Sequence, residues 1–420
     1  MFQGVNILNQ KVKEKLTTEN IFKIYNSFII PLLSHEERDF MLELQRFCLE
    51  ELEPSIDITH DVYELFPLLG QHGYMQRLYP YQDFKPDGMR YEMILAQNLS
   101  IVDPELDLAR VVSGVLAMNP LYSYGATDRE RQALEDLMSG QKTGCICITE
   151  KERGSDAVNM QTHVTECDDG TGDVFYDGEK VFTTNGPKAD YFIAYGVTDE
   201  QDPRSTMYQV LIERGFEGLE TNRLGVNSAP RVHIGQTVFN HVRVPAENII
   251  GTAGAGYTNL FRGLVAERTT IIGSSLGISW LSVITALIYS DLRRQFDKRL
   301  LDFQAVSFPL AEMLVDLMAA TDLGFKAASE FEKIARYPEH TDMVKYNASF
   351  SAGTKYLAAH LAHRISYESQ QLVGGIGYTD NMRIDKALEV SKIQEIIGGS
   401  RNIQLLLVNQ AIKTILKLID

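Results

Sequence analysis

The sequence predicts an α+β protein of segregated units, with helices first, short strands in the middle and long helices to the end. Three observations predict it. Apolar residues recur at helical spacing from about Ser34 to Gln141. They alternate in short runs from about Thr143 to Gly256 and return to long helical stretches from Tyr257 onward. The 420 residues suffice for two or three packed units.

Residues 1–33 read as an extra arm with no assigned role, and 34–141 as a helical N-terminal domain. The stretch "SHEERDFMLELQRFCLEEL" places Glu37 three residues after Ser34, the spacing of a capping box, and sets Phe40, Leu44, Phe47 and Cys48 at helical intervals. Across 142–256 the runs "GCICIT", "DVFYDG", "KVFTTN", "YFIAYGV", "YQVLIE" and "QTVFNHVRV" are punctuated by Asp177-Gly178 and Asn185-Gly186. They predict a compact antiparallel barrel or sandwich. From 257 to 420 the helices are long. "YTNLFRGLVAERTTIIGSSLGISWLSVITALIYSDLRRQF" runs forty residues without proline, and Pro309 should kink or begin the next helix. A third helix covers Thr341 to Val373 and stops at Gly374-Gly375, and two more flank Gly398-Gly399. Long helices with short connections predict an antiparallel bundle.

At 44% hydrophobic and 23% charged the composition is that of a soluble globular protein. A net charge of -16 argues against nonspecific nucleic-acid binding, which needs a basic surface. The charged N-terminus does not read as a signal peptide, and no uninterrupted apolar run approaches ~20 residues, so no membrane span is expected. Cys48, Cys145, Cys147 and Cys167 form no CxxC pair and no zinc spacing. They read as buried, inert thiols of a reducing, cytoplasmic compartment, with no metal.

Five segments converge. "ITEKERGSD", "DGEKVFTTNGPKADYF", "FNHVRVPAENIIGTAGAGY", "LRRQFDKRLLDFQ" and "QQLVGGIGY" occur in this order. Their order and spacing resemble the acyl-CoA dehydrogenase family from about Ser34 to the C-terminus. The resemblance implies a helical N-terminal domain, a central antiparallel β-barrel and a C-terminal four-helix bundle. It implies FAD, a homotetramer or dimer, and removal of hydrogens from Cα and Cβ of an acyl thioester. A carboxylate takes the α-proton while the β-hydrogen leaves as hydride to flavin N5. By position, Thr149 would bond the isoalloxazine ring, Phe182 would pack on it and Thr184 would lie near N5. Ser155 matches a serine near the flavin pyrophosphate and the substrate's pantetheine. Arg293 and Phe296 match residues that reach the FAD of another subunit, and an arginine fork suits pyrophosphate. Asp297 stands where the family usually has glycine, a departure that bears on the local turn. Gln371, Gly374 and Gly375 match the segment at the adenosine end of that FAD. Ser400 and Asn402 follow where family residues touch FAD.

Many members carry the catalytic glutamate just before the glycine of the turn that closes the fourth bundle helix. Here that position is Gly398. Glycine accepts no proton, but its N–H can hydrogen-bond the thioester carbonyl and stabilise enolate charge. A subset that includes isovaleryl-CoA dehydrogenase keeps the base just before an arginine early in the first bundle helix. This sequence has Glu267-Arg268 there, which implies Glu267 as base, with Arg268 on the substrate side. The chemistry requires that base to be desolvated, with its pKa raised toward neutral. Val265 replaces an aspartate that often helps hold CoA, so a carrier-protein thioester stands beside CoA as substrate. Glu389-Val390 replace a usual Arg-Asp pair. A short or branched acyl chain is the expectation, with an electron-transfer flavoprotein or oxygen as acceptor. Run in reverse, the site would be an enoyl-thioester reductase. A flavin-dependent monooxygenase and a noncatalytic, nucleic-acid-associated member are the competing classes. Glu267 and the FAD-binding set argue against them.

Overall fold

A computed structural model shows the fold and describes residues 8, 10–56, 61–80, 87–336, 341–379 and 381–416, without the side chains of 335–336 and 341–347. Contacts divide it into two compact units. One contains residues 10–56, 87–107 and 268–416, and the other residues 61–80 and 108–267.

The first unit is helical. The described part of the arm is packed. Thr17 caps the helix Thr18–Ile29, which buries Ile21, Phe22, Tyr25 and Ile29. The Tyr25 ring meets Trp280 edge-on with centroids 6.0 Å apart, and its hydroxyl donates to Gln97 Oε1 at 3.1 Å. The capping box forms as expected, with Glu37 N donating to Ser34 Oγ and Ser34 N to Glu37 Oε2.

The C-terminal helices are Gly256–Leu292, Gln304–Arg336, Thr341–Val373, Ile384–Ile396 and Arg401–Leu416. The third packs against the second, fourth and fifth. Pro309 lies inside the second helix rather than at its start. Its missing N–H falls in the second turn, where little of the hydrogen-bond ladder is lost. The first helix ends at Leu292, so Arg293–Phe296 is not helical. That helix is long and apolar enough to cross a bilayer by length and composition alone, because serines and threonines interrupt its apolar residues without adding charge. In this fold 89% of its most apolar window is buried. Two of its hydroxyls pair with polar groups on neighbouring helices, Ser274 Oγ donating to Asp107 Oδ2 at 2.6 Å and Ser282 Oγ lying 2.9 Å from Ser366 Oγ. A Cβ at Gly277 would stand 2.3 Å from the Gln97 carbonyl oxygen, so glycine lets these two helices touch.

The second unit carries a curled seven-stranded sheet. Its strands are β1 (Gly144–Cys147), β2 (His163–Glu166), β3 (Val174–Thr184), β4 (Tyr191–Val197), β5 (Met207–Glu213), β6 (Leu219–Arg223) and β7 (Ile234–Val244). The order is β1-β4-β2-β3-β7-β6, with β5 also on β4. The pairing is not wholly antiparallel, because β1 and β2 both run parallel to β4. The long connection from β1 to β4, which carries β2 and β3, is what a parallel neighbour requires. Cys145 and Cys147 pack in this unit's core with Phe192, Val210, Phe239 and Val242, and all four cysteines are free. Asn185 adopts φ +68 just after β3, and its Nδ2 donates to the carbonyls of Ala109 and Gly144.

Candidate active site

In the sheet unit, Thr149 follows β1 and its carbonyl accepts from Val181 N at 2.8 Å, which seats this segment against β3. The link is anchored from below. Lys180, fully buried, donates to Glu150 Oε1 at 2.9 Å and to the Ile148 carbonyl at 3.1 Å. Glu150 also accepts from Gln161 N, Thr162 N and Thr162 Oγ1. Burial pushes the Glu150 carboxyl up, but the Lys180 charge and these donors outweigh it and hold it below the usual carboxylate range. Burial pushes the Lys180 ammonium down, and Glu150 opposes that shift. Beyond the pair, reciprocal backbone bonds between Glu150 and Arg153 turn the chain back, and Ser155 is exposed on the loop that follows.

Register shifts between Lys180 and Thr183, and in this bulge Phe182 takes φ +55 and is 69% exposed. A phenylalanine in the left-handed region is an outlier, worth roughly 1–3 kcal/mol of strain, and such strain concentrates at ligand sites. Thr184 ends β3, half-buried opposite Ile234.

The helical unit repeats the device. Arg294-Gln295 pair with Lys298-Arg299 in a short hairpin whose two loop residues, Phe296 and Asp297, have φ +52 and +63. A two-residue loop with both φ positive belongs to the type I′ class. Asp297 therefore keeps the backbone sign that glycine would take. Phe296 is 88% exposed at the tip and Arg293 is exposed beside it. Gln371, Gly374 and Gly375 are exposed where the third bundle helix ends. Gly374 has φ +73, and a Cβ there would meet nothing within 4 Å.

Gly398 and Gly399 form the turn between the last two helices, with φ +63 and +97. Ser400 is half-buried and Asn402 exposed at the start of the final helix. Arg268 Nε donates to the Gly398 carbonyl at 3.0 Å, which brings two of the expected residues together. Glu267, next to Arg268 on the first bundle helix, is 5% exposed. A cleft of about 10 Å³ beside the turn is lined by Lys355, Tyr356, His360, Glu395, Arg401 and Gln404. It is far smaller than the ~300 Å³ at which small-molecule pockets begin. Sequence reasoning missed Glu150, Lys180, Lys355 and Gln404. For Lys355 a signal existed, since it interrupts an otherwise small apolar stripe of Ala352, Ala359 and Ala362 at helical spacing.

Each unit offers groups of the kind a flavin dinucleotide takes. In the sheet unit Phe182 offers an exposed ring face, and in the helical unit Phe296 offers a ring face, Gly374 bare backbone and Arg293 a guanidinium. The family descriptions "Acyl-CoA dehydrogenase, middle domain" and "Acyl-CoA dehydrogenase, C-terminal domain" match residues 145–242 and 254–413. A short-chain-specific acyl-CoA dehydrogenase from Megasphaera elsdenii is 30% identical over 324 residues, 76% of this chain and 81% of that protein. This chain belongs to the acyl-CoA dehydrogenase family. Mitochondrial isovaleryl-CoA dehydrogenase from Oryza sativa subsp. japonica is 24% identical over 401 residues, 92% of this chain and 94% of that protein. The solved structure of butyryl-CoA dehydrogenase from Megasphaera elsdenii superposes with a TM-score of 0.81 at 27% identity, over 90% of this chain and 98% of that one. As a member of this family the chain is a flavoprotein oxidoreductase of the acyl-CoA dehydrogenase type, and the family's cofactor is FAD.

Proposed function

We propose that this acyl-CoA dehydrogenase removes the α-proton of its acyl thioester with Glu267, while the Gly398 turn binds the thioester carbonyl through the Gly398 N–H. The bond from Arg268 Nε to the Gly398 carbonyl carries this reading. It ties the first bundle helix to a turn with no carboxylate, and the neighbouring residue on that helix is a buried glutamate. A carboxylate shielded from water is a stronger base toward a weak carbon acid than a hydrated one. Amide donors held near the carbonyl oxygen stabilise the negative charge that grows there as the proton leaves.

FAD, when bound, supplies the acceptor for the β-hydrogen and its electron pair. Thr149, Thr184 and Phe182 would hold its ring system, with Ser155, Ser400 and Asn402 along its length and Ser155 also near the pantetheine. Arg293, Phe296, Gln371, Gly374 and Gly375 would hold the FAD of a second copy. A homo-oligomer, tetramer or dimer, is supported by exposed Phe308, Val315 and Met318 on the second bundle helix and Leu405, Ile412 and Ile415 on the last. Apolar patches of this kind mark association surfaces. The short-chain specificity named for the Megasphaera relative supports a short acyl chain. Val265 favours a second reading, in which the pantetheine belongs to a carrier protein rather than CoA. We assign an electron-transfer flavoprotein as acceptor, with oxygen as the alternative, and a cytoplasmic location.

Anaerobic titration of the yellow enzyme tests the reading. Short-chain acyl-CoA thioesters should bleach the flavin absorbance, whereas Glu267→Gln should retain FAD and not bleach. Bleaching by carrier-bound thioesters alone would move the substrate to the second reading. Unimpaired bleaching by Glu267→Gln would end the proposal.

A further inference from the structure

Two glycines in series have more conformational freedom than any other dipeptide. A hydrogen-bond donor stabilises a transition state only if it is held in place before the reaction. The Gly398-Gly399 turn therefore needs constraint from outside, and three buried side chains supply it. The Gly398 carbonyl accepts from Arg268 Nε at 3.0 Å and from Gln404 Nε2 at 2.9 Å. The Gly399 carbonyl accepts from Gln404 Nε2 at 2.7 Å and from Lys355 Nζ at 3.1 Å. Lys355 Nζ also reaches the Glu395 carbonyl at 3.4 Å, in the last turn of the helix that leads into the turn. Gln404 is 0% and Lys355 1% exposed. Burying an ammonium is unfavourable unless its donors are satisfied, and here the carbonyls of Gly399 and Glu395 satisfy two of them. A Cβ at Gly399 would stand 2.8 Å from Gln404 Nε2, so the arrangement closes on glycine.

We propose that Lys355 and Gln404 are positioning residues for the reaction. Each peptide unit is planar, so holding the carbonyls of Gly398 and Gly399 to one side fixes the orientation of the amides in the same units. Ile397 N is held by the Ile393 carbonyl at 3.0 Å, so anchoring the units on the other side also restricts rotation about Gly398, whose own N–H meets the thioester carbonyl. Both side chains act through the backbone. The inference rests on the reading of this turn as the thioester-carbonyl site.

The test uses the FAD-loaded enzyme. Lys355→Met removes the ammonium at similar length, Lys355→Arg retains donors, and Gln404→Glu sets an oxygen against two carbonyl oxygens. Bound flavin and Tm are measured first, then kcat and KM. In Lys355→Met and Gln404→Glu, kcat should fall about 10- to 100-fold, the scale of a small misplacement of a catalytic donor. KM should stay within about threefold, and Lys355→Arg should recover most of kcat. The double variant should be less impaired than the product of the singles, because both side chains act on one carbonyl. Flavin-loaded variants with wild-type kcat, or a change in KM alone, would overturn the inference. So would loss of bound FAD in both single variants, which would assign the pair to stability. If the wild type bleaches with a thioester while the variants match it, this inference alone fails. If the wild type bleaches with none, the underlying reading fails and this inference with it.

Discussion

Lys180→Met removes the charge that the buried Glu150 carboxylate pairs with among the described residues. Breaking a buried ion pair from one side destabilises by about 3–5 kcal/mol, because the remaining charge stays out of water. Three donors from Gln161 and Thr162 continue to hold that carboxylate, which places the loss near the lower end, about 3 kcal/mol. For a unit of this size that corresponds to a fall in Tm of about 6–12 °C. If Thr149 holds the flavin as proposed, the bond from Val181 N to the Thr149 carbonyl passes the loss to it, and FAD affinity should fall with stability. Differential scanning calorimetry with and without added FAD reads both effects. Adding Glu150→Gln to Lys180→Met should recover a large part of the loss, since a neutral pair leaves no orphaned charge. A fall in Tm under about 2 °C for Lys180→Met, or a double variant worse than the single, would refute the reasoning.

Asp297→Gly should raise stability by about 1 kcal/mol, read by chemical denaturation, because glycine takes φ +63 without strain. Removing residues 1–29 should bare Trp280, the single tryptophan, now fully buried against Tyr25 and Phe28, and shift its fluorescence emission to the red. Burial raises the Asp385 carboxyl to about 6, and its Oδ1 has no hydrogen-bond partner among the described residues. Between the ordinary value of 3.8 and about 6 the folded state thus holds a proton that the unfolded state does not. Stability should therefore fall as pH rises through that window. Asp385→Asn should be stabilising at pH 7, by at most about 3 kcal/mol, and the gain should vanish near pH 4 in urea titrations.

Much of the fold was legible because local signals agreed with the packing. Ser34 and Glu37 marked a helix start, Gly374-Gly375 and Gly398-Gly399 marked helix ends, and short apolar runs between turn residues placed β3, β4 and β5, of which only β3 alternates in burial. The vacancy at Gly398 and the carboxylate at Glu267 could also be read from residue identity. Backbone sign could not. "KVFTTN" has strand periodicity, which says nothing about a bulge that turns Phe182 to positive φ. "RRQFDK" contains neither glycine nor proline, so nothing separated it from the preceding helix, yet it forms a hairpin loop that usually takes Asn-Gly. The parallel pairing of β1 was hidden for another reason, since register between distant strands is a tertiary property. Lys355 stands out only as a charge in a small apolar stripe, and what it and Gln404 bond to could not be read, because carbonyls are present at every residue and carry no sequence signature.

The position of the base is tested most directly at the α-carbon. Wild-type enzyme and Glu267→Gln, both FAD-loaded, are held anaerobically in D₂O with an acyl thioester, and deuterium at Cα is followed by mass spectrometry. The wild type should exchange the α-proton, and Glu267→Gln should not exchange above the rate of free thioester. Exchange by Glu267→Gln at the wild-type rate would contradict the assignment of Glu267 as the base.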